Sequence, residues 1–140
     1  MNRVWIVDDD NSIRWVLEKS FAKENISTFS YEDAQMMLDA LSHGQPQVII
    51  SDIRMPNIDG LTLLNRIHSE YPDIPVIIMT AHSDLDSAVN AYQGGAFEYL
   101  PKPFDIDDAL ALTKRALAHA NEQNAKKKQQ SSSPASVGII

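Results

Sequence analysis

Val48-Ile49-Ile50-Ser51-Asp52 ends a short apolar run in a carboxylate, and Met55-Pro56 follows almost at once. Densely packed β-branched residues bounded by turn signals read as a buried strand. A parallel α/β sheet forms its ligand crevice at the C-terminal strand ends, so Asp52 is presented at an active edge. The bland reading is an Asp that caps the next helix. Three further stretches decide between the two. Val4-Trp5-Ile6-Val7 runs into Asp8-Asp9-Asp10, Val76-Ile77-Ile78-Met79 into Thr80, and Phe97-Glu98-Tyr99-Leu100 into Pro101-Lys102-Pro103-Phe104. Any one of these polar residues could be a cap, a turn former or surface. Their agreement at one edge is the informative fact. Converging carboxylates repel one another and raise their own pKa unless a cation joins them. An all-oxygen set with room for water suits Mg²⁺. Asp52 could then attack phosphorus as a carboxylate nucleophile, with Lys102 supplying compact positive charge and Thr80 a hydroxyl donor. The product is an aspartyl phosphate. Lys102-Pro103 is a candidate cis peptide, which would fix the direction of the lysine.

Helices must alternate with these strands to bring their ends together. Asn11 or Ser12 can cap a helix burying Ile13, Val16, Leu17 and Phe21. Ile26-Ser27-Thr28-Phe29 is a short strand candidate. Ser30 with Asp33 resembles an N-terminal cap, before a helix that buries Tyr31, Ala34, Met37, Leu38 and Leu41 and stops at His43-Gly44. Asp59-Gly60 opens a helix carrying Leu61, Leu64, Ile67 and Tyr71. Ser83 with Asp86 caps another, with Leu85, Ala88, Val89 and Tyr92, which ends at Gly94-Gly95; its apolar face is thin, so its anchoring is weaker. Asp105 caps the last, burying Ile106, Ala109, Leu110, Thr113 and Leu117. Five successive βα units predict an α/β fold, a (βα)5 doubly wound parallel sheet with right-handed crossovers and the flavodoxin-like strand order 2-1-3-4-5.

Composition narrows the function. In 140 residues with a net charge of −7, wholesale nucleic-acid binding is disfavoured. The absence of cysteine excludes disulfide, thiolate-metal and Cys-nucleophile chemistry. Met1-Asn2-Arg3 leads straight into a strand without a secretory h-region, and no apolar run reaches membrane-spanning length, so a soluble cytoplasmic protein is expected. From Asn121 to Ser136 the chain turns polar, with Lys126-Lys127-Lys128, Gln129-Gln130 and Ser131-Ser132-Ser133-Pro134. That composition reads as a flexible linker over residues 121–140, after a domain spanning 1–120. The closing Val137-Gly138-Ile139-Ile140 turns apolar again, as though a longer parent continued.

Together the acids after the first strand, Asp52 with Met55-Pro56 and Asp59-Gly60, Thr80-Ala81 and Lys102-Pro103-Phe104 resemble the receiver domain of two-component response regulators over roughly residues 3 to 120. Ser51 to Pro56, Ile78 to Asp86 and Gly95 to Asp105 more narrowly resemble the NtrC-type nitrogen regulators. The resemblance implies that Asp52 is the phosphoacceptor. It implies Mg²⁺ bound directly by Asp9, through water by Asp8, and by the backbone carbonyl of Arg54. Asp10 leaves a one-residue shift of this register open. Thr80 and Tyr99 match the switch pair, while Arg54 and His82 stand where the family tunes dephosphorylation. The helix at about Ser83 to Gln93 matches the one that rearranges on phosphorylation. The implied partners are a sensor histidine kinase, a second receiver in a phosphorylated dimer, and, in the parent, an ATPase domain acting on sigma-54 RNA polymerase. The fragment itself acts as a switch, not a turnover enzyme, and touches neither nucleic acid nor membrane. A rival from another class is a haloacid-dehalogenase-type phosphatase, because Asp8-x-Asp10-x-Ser12 resembles its nucleophile motif, with Asp8 as nucleophile. Against it, a helix beginning near Ser12 leaves no room for the flap that normally follows, and Asp52 would be idle.

Overall fold

The strands that run into the acids are apolar, and they lie inside the sheet rather than at its edges. In a computed structural model, residues 3–55, 58–81, 93 and 95–138 are described, with side chains up to 122. The elements run β1 (Arg3–Val7), α1 (Asn11–Ala22), β2 (Ser27–Tyr31), α2 (Ala34–Leu41), β3 (Val48–Asp52), α3 (Gly60–Glu70), β4 (Val76–Ala81), β5 (Glu98–Lys102) and α4 (Ile106–Gly138). All strand pairs are parallel and the order is β2-β1-β3-β4-β5, as the alternation predicts. The helix foreseen from Ser83 falls, but for Gln93, outside the described residues, as do His82 and Pro56.

Every residue of β3 is buried, and so are the first five of β4. A strand covered on both faces has no polar side to show, which explains its continuous apolar run. One face packs Trp5, Val7, Ile49 and Ile78 with Met37, Leu63, Leu64 and Ile67 from α2 and α3. The other packs Val4, Ile6, Ile50, Ile77 and Met79 with Leu17 and Phe21 of α1 and Ala109, Ala116 and Leu117 of α4. At about 1.5–3 kcal/mol for each fully buried large aliphatic side chain, these two cores hold the strand ends firmly in register.

Several local expectations need correction. Val16 is exposed: Ile13, Leu17 and Phe21 form the inward line at i, i+4, i+8, while Val16 lies on the flank with Trp15. Asp10, not Asn11 or Ser12, caps α1, its carboxylate accepting the Ser12 N–H at 2.8 Å. Asp33 itself caps α2 through the Met36 N–H at 2.8 Å, so Ser30 and Tyr31 belong to β2, which starts at Ser27. Lys102 is the last residue of β5 and not beyond it. The backbone of α4 stays helical through Gly138, across the stretch expected to be a flexible linker. The composition argument concerns burial, whereas extending a helix already nucleated against the sheet adds a hydrogen bond per residue without it.

Candidate phosphoacceptor site

Because all five strands are parallel, their C-terminal ends form one edge, and the registers Val7↔Ser51, Asp52↔Met79 and Ala81↔Lys102 stagger the site residues along it. Asp8 follows β1 directly, with its N–H donating to the Tyr31 carbonyl at 3.1 Å. Its side chain is fully buried. Asp8 Oδ1 accepts the Asp10 N–H at 2.9 Å and Oδ2 accepts from Lys102 Nζ at 3.0 Å. The same ammonium lies 3.5 Å from Asp52 Oδ1, which also accepts the Ile53 N–H at 2.9 Å. Asp8, the exposed Asp9 and Asp52 each offer an oxygen within 4.8 Å of the others. The Lys102–Pro103 peptide is cis.

The electrostatics are those of an acid cluster short of positive charge. Burial raises the Asp8 pKa, and Asp9 adds to the rise; the Asp10 N–H and Lys102 oppose it without cancelling it. Burial likewise raises Asp52, with Asp8 adding repulsion against the relief from Lys102 and the Ile53 N–H. For Lys102, burial disfavours the ammonium, but its bond to Asp8 and the charges of Asp8 and Asp52 outweigh burial and raise its pKa. One ammonium, paired with Asp8 and Asp52 and not with Asp9, against a cluster of three carboxylates leaves room for a hard cation. The oxygen-only donor set fits Mg²⁺.

Of the residues singled out in the sequence, the fold brings Asp8, Asp9, Asp52 and Lys102 into contact range. Thr80 is 2% exposed and stands one position beyond Met79, the register partner of Asp52. Arg54 is exposed and lines a shallow cavity of about 340 Å³ with Ile53, Met55, Asp59 and Leu61, next to Asp52. Tyr99 is half-buried in β5 opposite Ile78, three residues before Lys102 and outside the carboxylate cluster. Asp10 is occupied as the α1 cap, which removes it from the pocket. The supporting contacts of two residues escaped the sequence reading. Arg14, one turn into α1, donates to the Asp8 carbonyl and to Asn11 Oδ1 and so ties α1 to the end of β1. Gly60 abuts the Asp52–Ile53 peptide. Arg14, with the first helix, sets the register of the acids in the resemblance, but its spacing does not show this tie to Asp8; Gly60 was visible as part of the Asp59-Gly60 helix start and not as a close backbone contact.

The phosphatase alternative fails on the same geometry. α1 begins at Asn11, directly after the Asp10 cap, and leaves no flap segment. Asp8 is enclosed and engaged by Lys102, whereas Asp52 closes the central strand of the acid edge.

Comparison with known proteins agrees. The family model for the response regulator receiver domain matches residues 4–114. The DNA-binding transcriptional regulator NtrC of Proteus hauseri is 62% identical over 120 residues, which is 86% of this chain and 25% of that protein. NtrC of Escherichia coli K12 is 55% identical over 131 residues, 94% of this chain and 28% of its own length. The chain thus spans about a quarter of the length of these curated relatives. Among solved structures, the apo receiver domain of nitrogen regulatory protein C superposes with a TM-score of 0.78 at 58% identity, covering 84% of this chain and 95% of that one. NtrX of Brucella abortus superposes with a TM-score of 0.84 at 28% identity, covering 91% of this chain and 29% of that one.

Proposed function

This chain belongs to the response regulator receiver family, and we propose that within it Asp52 accepts a phosphoryl group from a sensor histidine kinase or a small phosphodonor. The observation that carries this reading is the meeting of Asp8, Asp9, Asp52 and Lys102 at one strand edge. An Asp52 carboxylate oxygen attacks phosphorus and forms the acyl phosphate. The P–N bond of a phosphohistidine breaks as it does so, and the electron pair leaves on the imidazole nitrogen, which takes up a proton. With acetyl phosphate the P–O bond breaks and acetate departs. Lys102 holds positive charge beside the incoming phosphoryl oxygens, and the Thr80 hydroxyl donates to one of them. Asp9, Asp52 and the Arg54 carbonyl, with Asp8 acting through water, would hold Mg²⁺, which would supply neutralisation of the phosphoryl oxygens.

The added charge draws Thr80 inward, Tyr99 turns behind it, and the 83–93 segment with His82 changes its preferred conformation. That face then contacts a second receiver or a following ATPase domain, which in the parent regulator works on sigma-54 RNA polymerase. Residues 1–120 form the switch and 121–140 the connector. The protein works in the cytoplasm, its phosphoryl chemistry is confined to its own Asp52, and the fragment does not itself bind nucleic acid. Among the described residues, no helix is long and apolar enough to cross a membrane.

Intact mass after incubation with acetyl phosphate and Mg²⁺ tests the assignment. Wild type gains one labile phosphoryl group that Asp52→Asn lacks and that chelation of the metal prevents. Uptake by Asp52→Asn with none by Asp8→Asn would overturn it.

A further inference from the structure

The strongest unassigned feature is the seat of α3 beneath the nucleophile. The Ile53 peptide is held at both ends. Its N–H is shared between the Met79 carbonyl of β4, at 3.1 Å, and Asp52 Oδ1, at 2.9 Å. Its carbonyl accepts the Gly60 N–H at 2.8 Å. That last bond brings the first residue of α3 against the strand end. A Cβ on Gly60 would stand 2.6 Å from Ile53 Cα and closer still to the Asp52 carbonyl oxygen. Both obstacles are backbone, so neither can turn aside as a flexible side chain would. Asp59 fixes the same helix end from the other side, its carboxylate accepting the Thr62 N–H at 2.8 Å.

We propose that Gly60, with its capping neighbour Asp59, is a positioning residue for the phosphoacceptor site: the bare α-carbon lets α3 clamp the Asp52–Ile53 peptide and thereby sets the Asp52 carboxylate and the Arg54 carbonyl. The inference rests on the Asp52 reading above. The Arg54 carbonyl follows directly on the Ile53 carbonyl that Gly60 binds, so a shift of Ile53 displaces the carbonyl that would serve as a metal ligand. It also moves the N–H that orients Asp52. Partners that orient a metal ligand in this way are worth about 10- to 100-fold in metal affinity.

The test is calorimetric titration with Mg²⁺ of the full chain, alongside the rate of phosphoryl uptake from acetyl phosphate at saturating Mg²⁺. Gly60→Ala weakens Mg²⁺ binding by roughly tenfold or more and slows uptake. Asp59→Ala, which frays the helix start without intruding a methyl group, weakens binding less, and Asp59→Asn, which keeps a capping oxygen, restores it. Asp33→Ala removes the equivalent cap of α2 and is the control: it loses thermal stability comparably and binds Mg²⁺ as wild type does. Wild-type binding by Gly60→Ala overturns the inference. Should Gly60→Ala not fold, equal Mg²⁺ affinities for Asp59→Ala and Asp33→Ala overturn it instead. A wild type that takes no phosphoryl group overturns the Asp52 reading itself, which separates the two failures.

Discussion

Asp52 is held where its own charge is unwelcome, between a fully buried Asp8 and a single shared ammonium. A carboxyl whose pKa is raised in the folded state contributes stability that is complete below its unfolded pKa and lost as pH rises through the folded one. Asp8 and Asp52 both have this sign. Metal-free protein at neutral pH is therefore less stable than its contacts suggest. Asp52→Asn should raise its melting temperature, by about 3 °C for each kcal/mol of repulsion relieved. The gain should shrink as pH falls from the raised folded pKa towards the unfolded value of about 4 and be absent below it, and it should shrink again when Mg²⁺ is added to both proteins. Melting curves of the two proteins at pH 3 and 7, with and without Mg²⁺, check this. A gain independent of pH would mean that packing, not charge, separates them.

At the level of elements, the three successive acids after β1 show how the fold divides labour among residues of one type. Asp8 turns inward, Asp9 faces the rim and Asp10 starts α1. Replacing Asp10 by Ala should cost about 1 kcal/mol, the usual loss for an N-cap, and leave phosphoryl uptake unchanged, whereas Asp9→Ala should impair uptake with little effect on stability. Denaturant titration beside intact mass distinguishes the two. This division was not readable beforehand, because each acid in such a run has the chemistry of a cap and of a ligand. The strands were readable, since β3 and β4 are buried on both faces and leave no competing pattern. Thr80 could be placed for the same reason, whereas Lys102 ends the only partly buried β5 and was set one step too far along. Val16 was misjudged because a helical stripe specifies its centre better than its flank. The clamp at Gly60 depends on how two backbones approach, which side-chain patterning does not encode.

For the molecule as a whole, the buried core contributed by the described side chains of α4 ends at Ala120. Ala116, Leu117 and Ala120 are the last described residues of α4 that are buried, and Asn121 adds only an exposed hydrogen bond to Gln47 at 2.8 Å. A chain shortened after Glu122 should melt at the same temperature as the full chain and take up phosphate at the same rate; a clear loss of stability would show that the remainder of α4 supports the sheet. The polar composition after residue 120 gives no sign of the helical backbone that continues there, because a helix already nucleated extends without burial. The two tryptophans sit in opposite settings. Trp5 is 6% exposed, edge-on to Tyr31 with ring centroids 5.3 Å apart, while Trp15 is 58% exposed on α1 with Lys19 Nζ 4.7 Å above its ring. Their emission should therefore separate by colour and by access to iodide: the blue, shielded component reports integrity of the sheet, and the red, quenchable one reports whatever approaches the outer surface of α1. The unaltered polypeptide thus carries two optical gauges, one for unfolding and one for encounter.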